Sequence, residues 1–88
     1  MSRPAITMYS ASWCPYCARA RVLLANKGLE VHEIDVDEVD GMRAEMIARS
    51  GRRTVPQIFI GDQHVGGCDD LVALGERGEL DRLIQGVR

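Results

Sequence analysis

A chain of 88 residues, 45% apolar and 27% charged, fits one small globular domain spanning 1–88, with a core limited to burying a little over about 60% of its unfolded surface. Eleven basic and 13 acidic residues, spread along the chain, leave a net charge of −2 and no electrostatic case for nucleic acid or an anionic membrane. Three cysteines are too few for a secreted disulfide scaffold. The start, Met1-Ser2-Arg3-Pro4-Ala5-Ile6-Thr7, shows no apolar leader, and no apolar run approaches a membrane span, so a cytoplasmic protein is expected.

Ala5-Ile6-Thr7-Met8-Tyr9 predicts a strand, and Ser10-Ala11-Ser12-Trp13 a loop. From Pro15, which suits a first helical turn, Cys17, Ala20, Leu23 and Leu24 recur at helical spacing until Gly28. Leu29–Val36, with β-branched Val31, Ile34 and Val36, predicts a second strand and therefore a right-handed βαβ unit. The acidic run Asp35–Asp40 is expected to open a second helix with a buried stripe of Val39, Met42 and Met46, closed by Ser50-Gly51. Arg52-Arg53-Thr54-Val55-Pro56 leads into the strand Gln57–Ile60, and Gly61-Asp62-Gln63 turns it back as a hairpin through His64-Val65. After Gly66-Gly67, Cys68-Asp69-Asp70 opens a helix with Leu71 and Leu74 inward. Gly75 and Gly78 weaken it, and Glu79–Gln85 follows as a last helical segment. The order β-α-β-α-β-β-α describes an α/β domain with helices on both faces of the sheet.

Cys14-Pro15-Tyr16-Cys17 stands where a strand passes into a helix, and Cys-x-x-Cys in that setting reads as a redox dithiol. The thiolate is the attacking species, and a helix amino end stabilises an anion. Cys14 sits at that end and Cys17 one turn deeper, which makes Cys14 the nucleophile and Cys17 the resolving thiol. The alternatives are a plain pair of buried cysteines or half of a zinc site, but only Cys68, His32 and His64 remain to complete four zinc ligands, so no metal is expected. His32 and His64 themselves read as packing or surface residues. Val55-Pro56 is by default simple punctuation before a strand. Its alternative is a cis peptide beside the dithiol that offers the Val55 backbone to an extended peptide. The glycines of Gly66-Gly67-Cys68-Asp69-Asp70 allow close backbone approach, and the helix start can hold a carboxylate. Asp69 is either a ligand for an ammonium group or a residue matched to the helix dipole, and Cys68 reads as a small apolar residue. Of Arg49, Arg52 and Arg53, at most one is expected to touch a ligand.

Cys14-Pro15-Tyr16-Cys17, Thr54-Val55-Pro56 and Gly66-Gly67-Cys68-Asp69-Asp70, in that order, resemble a dithiol glutaredoxin of the small bacterial type, over nearly the whole chain from Ile6 to about Leu83. The resemblance implies a thioredoxin-like fold with a four-stranded mixed sheet, and a cis peptide at Pro56. It implies a glutathione-dependent thiol–disulfide oxidoreductase with no bound cofactor and glutathione as co-substrate. The tripeptide is expected across Cys14, paired to the Val55 backbone, with its γ-glutamyl end at Gly67, Cys68 and Asp69, and with Tyr16 and Thr54 lining the groove. Its partners are expected to be glutathionylated or disulfide-containing proteins, ribonucleotide reductase among them, met by a monomer. Where the family often has lysine, three residues before the nucleophile, this chain has Ala11, and Arg19, Arg52 or Arg53 is expected to compensate. Trp13 is likewise unusual for the family. The rival readings are a thioredoxin-like reductant fed by a flavoenzyme, and a module holding an iron–sulfur cluster between two protomers.

Overall fold

The structure is a computed structural model that describes residues 4–86. Met1, Ser2 and Arg3, part of the stretch read for a leader, lie outside those residues. In chain order the elements are β1 (Ile6–Ser10), α1 (Pro15–Asn26), β2 (His32–Asp35), α2 (Met42–Ser50), β3 (Gln57–Ile60), β4 (Gln63–Gly66), α3 (Cys68–Glu76) and α4 (Glu79–Ile84). They form the expected four-stranded mixed sheet, in the order β2-β1-β3-β4. β1 runs parallel to β2 and antiparallel to β3, and β3 and β4 form the hairpin.

The sheet alternation divides the core in two. Ile6 and Met8 of β1 and Ile58 and Ile60 of β3 face Ala20 and Leu24 of α1, Leu71 of α3, and Leu80 and Ile84 of α4. Tyr9 and Phe59, on the opposite face, pack with Val36 and with Met46 of α2. Each successive side chain of a strand points to the other face, so two short apolar strands supply both cores at once. Among the described residues no helix is long and apolar enough to cross a membrane.

Three boundaries differ from the sequence reading. β1 extends through Ser10, because its end is held by the parallel pairing of Ser10 with Asp35. β2 is shorter than Leu29–Val36: the Leu29 N–H returns to the Leu24 carbonyl to finish α1, and the strand pairing with β1 covers His32–Asp35, followed by one bond from the Val36 N–H to the Ser10 carbonyl at 2.9 Å. Val39 is not on a buried helical stripe. It is 48% exposed, in a turn closed by Asp35, whose Oδ1 accepts the N–H groups of Asp37 and Glu38 at 2.9 and 3.2 Å. Those contacts, with the Val39 N–H on the Asp35 carbonyl at 3.1 Å, cap a single turn that is not continued. The helix starts only after Gly41, whose φ of +81° suits glycine alone. Met42 and Met46 are inward as expected, and so are Leu71 and Leu74 in α3.

Candidate functional site

The strand order brings the end of β1 beside the start of β3, and the two loops that meet there make the site. Ala11 turns the chain out of β1, and its carbonyl accepts the Cys14 N–H at 3.2 Å. Cys14 is the N-cap of α1, in extended conformation, and Pro15 takes the first helical position without losing a hydrogen bond. The Cys14 sulfur accepts the N–H of Cys17 at 3.2 Å, a donor that would otherwise be unpaired at a helix start. On its other side the Cys14 thiol lies 3.6 Å from the Val55 carbonyl oxygen. Ala11, Cys14 and Cys17 pack together, with Val55 against them.

The two thiols are not equivalent. Cys14 is 5% exposed and Cys17 fully covered. Burial, and then the hydrogen bond with Cys14, pushes the Cys17 thiol up to about 12. The depth order is the expected one, with the added feature that Cys14 is itself nearly covered.

The Val55–Pro56 peptide is cis, as the resemblance implied. The loop before it and the start of α3 form the two walls of a groove of about 210 Å³, which Cys14 itself does not line but meets through Val55. Tyr16, Thr54, Val55, Pro56, Gly67, Cys68 and Asp69, all expected as binding residues, line it. The wall on the α3 side is fixed by Asp70, whose Oδ2 accepts the Gly67 N–H at 2.9 Å and the Arg52 guanidinium at 3.0 Å. Those two contacts, the backbone one first, hold the Asp70 carboxyl below its usual range. Gly66, at φ +117°, is required there: a Cβ on it would collide with the Asp70 carboxyl. With Asp70 so engaged, Asp69 stands exposed at the rim, and its carboxylate has no hydrogen-bond partner among the described residues.

Other candidates fall elsewhere. Of the three arginines, Arg52 lines the groove. Arg49 lies 4.1 Å over the Phe59 ring and donates to the Tyr9 hydroxyl at 2.8 Å, while Arg53 is exposed and away from the groove. Arg19 lines a surface hollow with Val22, not the groove. Ala11 is buried against the dithiol, so of the cations expected to compensate for the missing lysine only Arg52 lines the groove. Trp13 is 66% exposed beside Cys14, outside the groove, and its indole N–H donates to Asp37 at 2.8 Å. His32 is exposed on the edge strand. Among the described residues no three His, Cys, Asp or Glu side chains gather as a metal site. A larger hollow of about 690 Å³ lies by Pro4, Gly28 and His32, at the other end of the strands from Cys14.

Four residues at or near the site were given no role in it from the sequence. Gln57 lines the groove from the first position of β3. Ser10 and Glu33 join at 2.7 Å beneath the cysteine loop, and Glu33 also holds Arg21. The signal for Asp70 was present, since an acidic residue three after a helix N-cap reaches back to it.

A buried dithiol at a helix start, on a four-stranded sheet with helices on both faces, defines a thiol–disulfide oxidoreductase of thioredoxin-like fold. The sequence profile of the glutaredoxins matches residues 6–65. Glutaredoxin 3 of Escherichia coli is 54% identical over 80 residues, 91% of this chain and 96% of that protein. The solution structure of a glutaredoxin from Brucella melitensis superposes with a TM-score of 0.84 at 55% identity, over 97% of this chain and 92% of the other. A crystal structure of a buckwheat glutaredoxin–glutathione complex gives 0.86 at 31% identity, over 96% and 78%. The chain belongs to the glutaredoxin family.

Proposed function

We propose that glutathione is the co-substrate and that the reaction runs on Cys14. The carrying observation is the 210 Å³ groove walled by a backbone loop on one side and a helix start on the other, whose lining residue Val55 meets the Cys14 thiol through its carbonyl at 3.6 Å. A tripeptide with two carboxylates and one ammonium fits such a cleft. Val55 presents main-chain groups to its cysteinyl unit, and the first N–H groups of α3, which lack intrahelical acceptors, suit the γ-glutamyl carboxylate. The unpaired carboxylate of Asp69 suits the ammonium, Arg52 adds positive charge, and Tyr16, Thr54, Pro56, Gly67 and Cys68 shape the cleft. The complex formed by the buckwheat relative supports the same ligand here.

The Cys14 thiolate attacks the glutathione sulfur of a protein–glutathione mixed disulfide, the old S–S bond breaks, and the protein leaves as a thiolate that takes up a proton. A second glutathione thiolate attacks the glutathione sulfur of the Cys14 adduct, giving oxidised glutathione and restoring the Cys14 thiolate. For a protein disulfide, Cys14 forms the mixed disulfide. Cys17 then loses its proton, attacks the Cys14 sulfur and expels the second substrate thiol. Two glutathione molecules reduce the Cys14–Cys17 bridge in turn. Cys17, protonated and buried, is slow to attack, which leaves the glutathione adduct of Cys14 open to a second glutathione. Substrates on this reading are glutathionylated and disulfide-containing proteins, ribonucleotide reductase among them, and the working unit is the monomer.

The test is reduction of a glutathionylated peptide by wild type, Cys14→Ser and Cys17→Ser, with glutathione as reductant. Wild type and Cys17→Ser turn over and Cys14→Ser does not. Substantial turnover by Cys14→Ser, or a wild type that ignores glutathione yet accepts electrons from thioredoxin reductase, overturns the reading.

A further inference from the structure

Gln57 is a fully buried polar side chain one residue after the cis proline, and a buried amide must have its hydrogen bonds met. Its Nε2 donates to the Thr54 carbonyl at 3.0 Å and to the Thr54 hydroxyl at 3.3 Å. Its Oε1 lies 2.7 Å from Nε2 of His64. A main-chain carbonyl only accepts, so the amide nitrogen must be the end that faces Thr54. The amide oxygen then faces the ring, and His64 Nε2 must carry the hydrogen.

His64 reaches this place through a bulge. Ile58 pairs with Gly66 and Phe59 with His64, which leaves Val65 as the extra residue of β4. His64 therefore faces the α2 side of the sheet, 4.9 Å from the Phe59 ring, while Val65 packs into the opposite core. Burial, and then the charge of Arg52, lower the His64 pKa against an opposing pull from Asp70, so the ring is neutral at neutral pH and has one hydrogen to place.

The Thr54 carbonyl and the Val55 N–H belong to one planar peptide group. Whatever fixes the first fixes the direction of the second. In a trans peptide the two point opposite ways, so a carbonyl held inward by Gln57 sends the Val55 N–H outward to the groove. We propose that Gln57 and His64 are positioning residues for thiol-ligand binding: the Nε2–H tautomer of His64 orients the Gln57 amide, which sets the Thr54–Val55 peptide plane that receives the cysteinyl unit of glutathione. The proposal rests on the glutathione reading for its ligand and on the hydrogen-bond chain for its mechanism.

Two measurements test it separately. Nitrogen-15 NMR of the wild-type protein at neutral pH, with no glutathione present, should show His64 as the Nε2–H tautomer. In the glutathionylated-peptide assay, Gln57→Leu should raise KM about 3- to 10-fold with kcat within about twofold, as loss of one neutral hydrogen bond used in binding does. His64→Phe keeps the ring stack and loses the donor, and should raise KM less. His64→Gln regains a donor and should restore it. The rate of Cys14 alkylation by iodoacetamide should not follow these changes. An Nδ1–H tautomer, an unchanged KM in Gln57→Leu, or an alkylation rate that falls with kcat/KM overturns the proposal. Where Gln57→Leu does not fold, the His64 pair carries the same comparison. A wild type inactive with glutathione but showing the Nε2–H tautomer sinks the ligand assignment and leaves the orienting chain standing.

Discussion

Selective alkylation tests the inequality of the two thiols. With its pKa at about 12, Cys17 at pH 7 holds a thiolate fraction of about 10⁻⁵, against about 3% for an ordinary free cysteine. The more basic thiolate is the better nucleophile, with a Brønsted slope of about 0.4–0.5, which returns roughly 30- to 60-fold over 3.5 units. Cys17 should therefore react with iodoacetamide about a hundredfold more slowly than a free thiol such as glutathione, before its lack of exposure slows it further. The assay is a short iodoacetamide pulse on reduced protein, read by peptide mass spectrometry, in wild type and in Cys14→Ser. In the variant the Cys14 thiol is gone but burial, the larger cause, remains, so Cys17 stays slow. Its labelling should rise about tenfold per pH unit from 7 to 9. Cys17 of Cys14→Ser labelling as fast as glutathione would refute the reasoning. The same shift bears on folding: between about pH 8.5 and 12 the unfolded chain releases this proton and the native one keeps it, so stability falls as pH rises through that window.

Two further expectations concern the wall formed by α3. Gly66→Ala puts a methyl group on a backbone at φ +117° and into the Asp70 carboxyl, losing the contact to Gly67 as well. Backbone strain and a lost cap together should cost about 2 to 4 kcal/mol in urea unfolding, and a loss under about 0.5 kcal/mol contradicts the account. Asp70 is held ionised in the native state, so its contribution is present above its unfolded pKa near 4 and lost as pH falls through the lower native value. Wild type should be more stable than Asp70→Asn at pH 6, and the gap should close as pH falls through the lowered native pKa of Asp70. A gap independent of pH would show that the charge is not what Gly67 and Arg52 hold.

Much of this was legible in the residues because it is local. Cys14 and Cys17 sit one helical turn apart, so their relation to the helix start follows from spacing alone. The unbroken apolar run Ile58-Phe59-Ile60 is the pattern of a strand buried on both faces. What failed was the helix start: Asp35 caps one turn through the Asp37 and Glu38 N–H groups, but the chain turns left-handed at Gly41 before α2 begins, and hydrophobic spacing does not report that break. The partners of Gln57 and of Glu33 were out of reach for another reason. His64 meets Gln57 only because a bulge at Val65 turns it to that side, and Ser10 meets Glu33 across 23 residues of sequence. Neither pairing leaves a trace in composition or period.

The pairing of β1 with β3 also sets an order of events during synthesis. Cys14, Cys17 and the helix that starts between them are all made by residue 26, whereas the loop at Thr54–Pro56 and the helix start at Cys68 are made much later. A nascent chain thus displays its reactive sulfurs before it owns the surface that chooses their ligand. The contact of Cys14 with the Val55 carbonyl, and the groove that Val55 helps to line, arrive together when β3 docks. A newborn chain thus carries its two cysteines uncovered by Val55, and that cover comes only with the second half of the polypeptide.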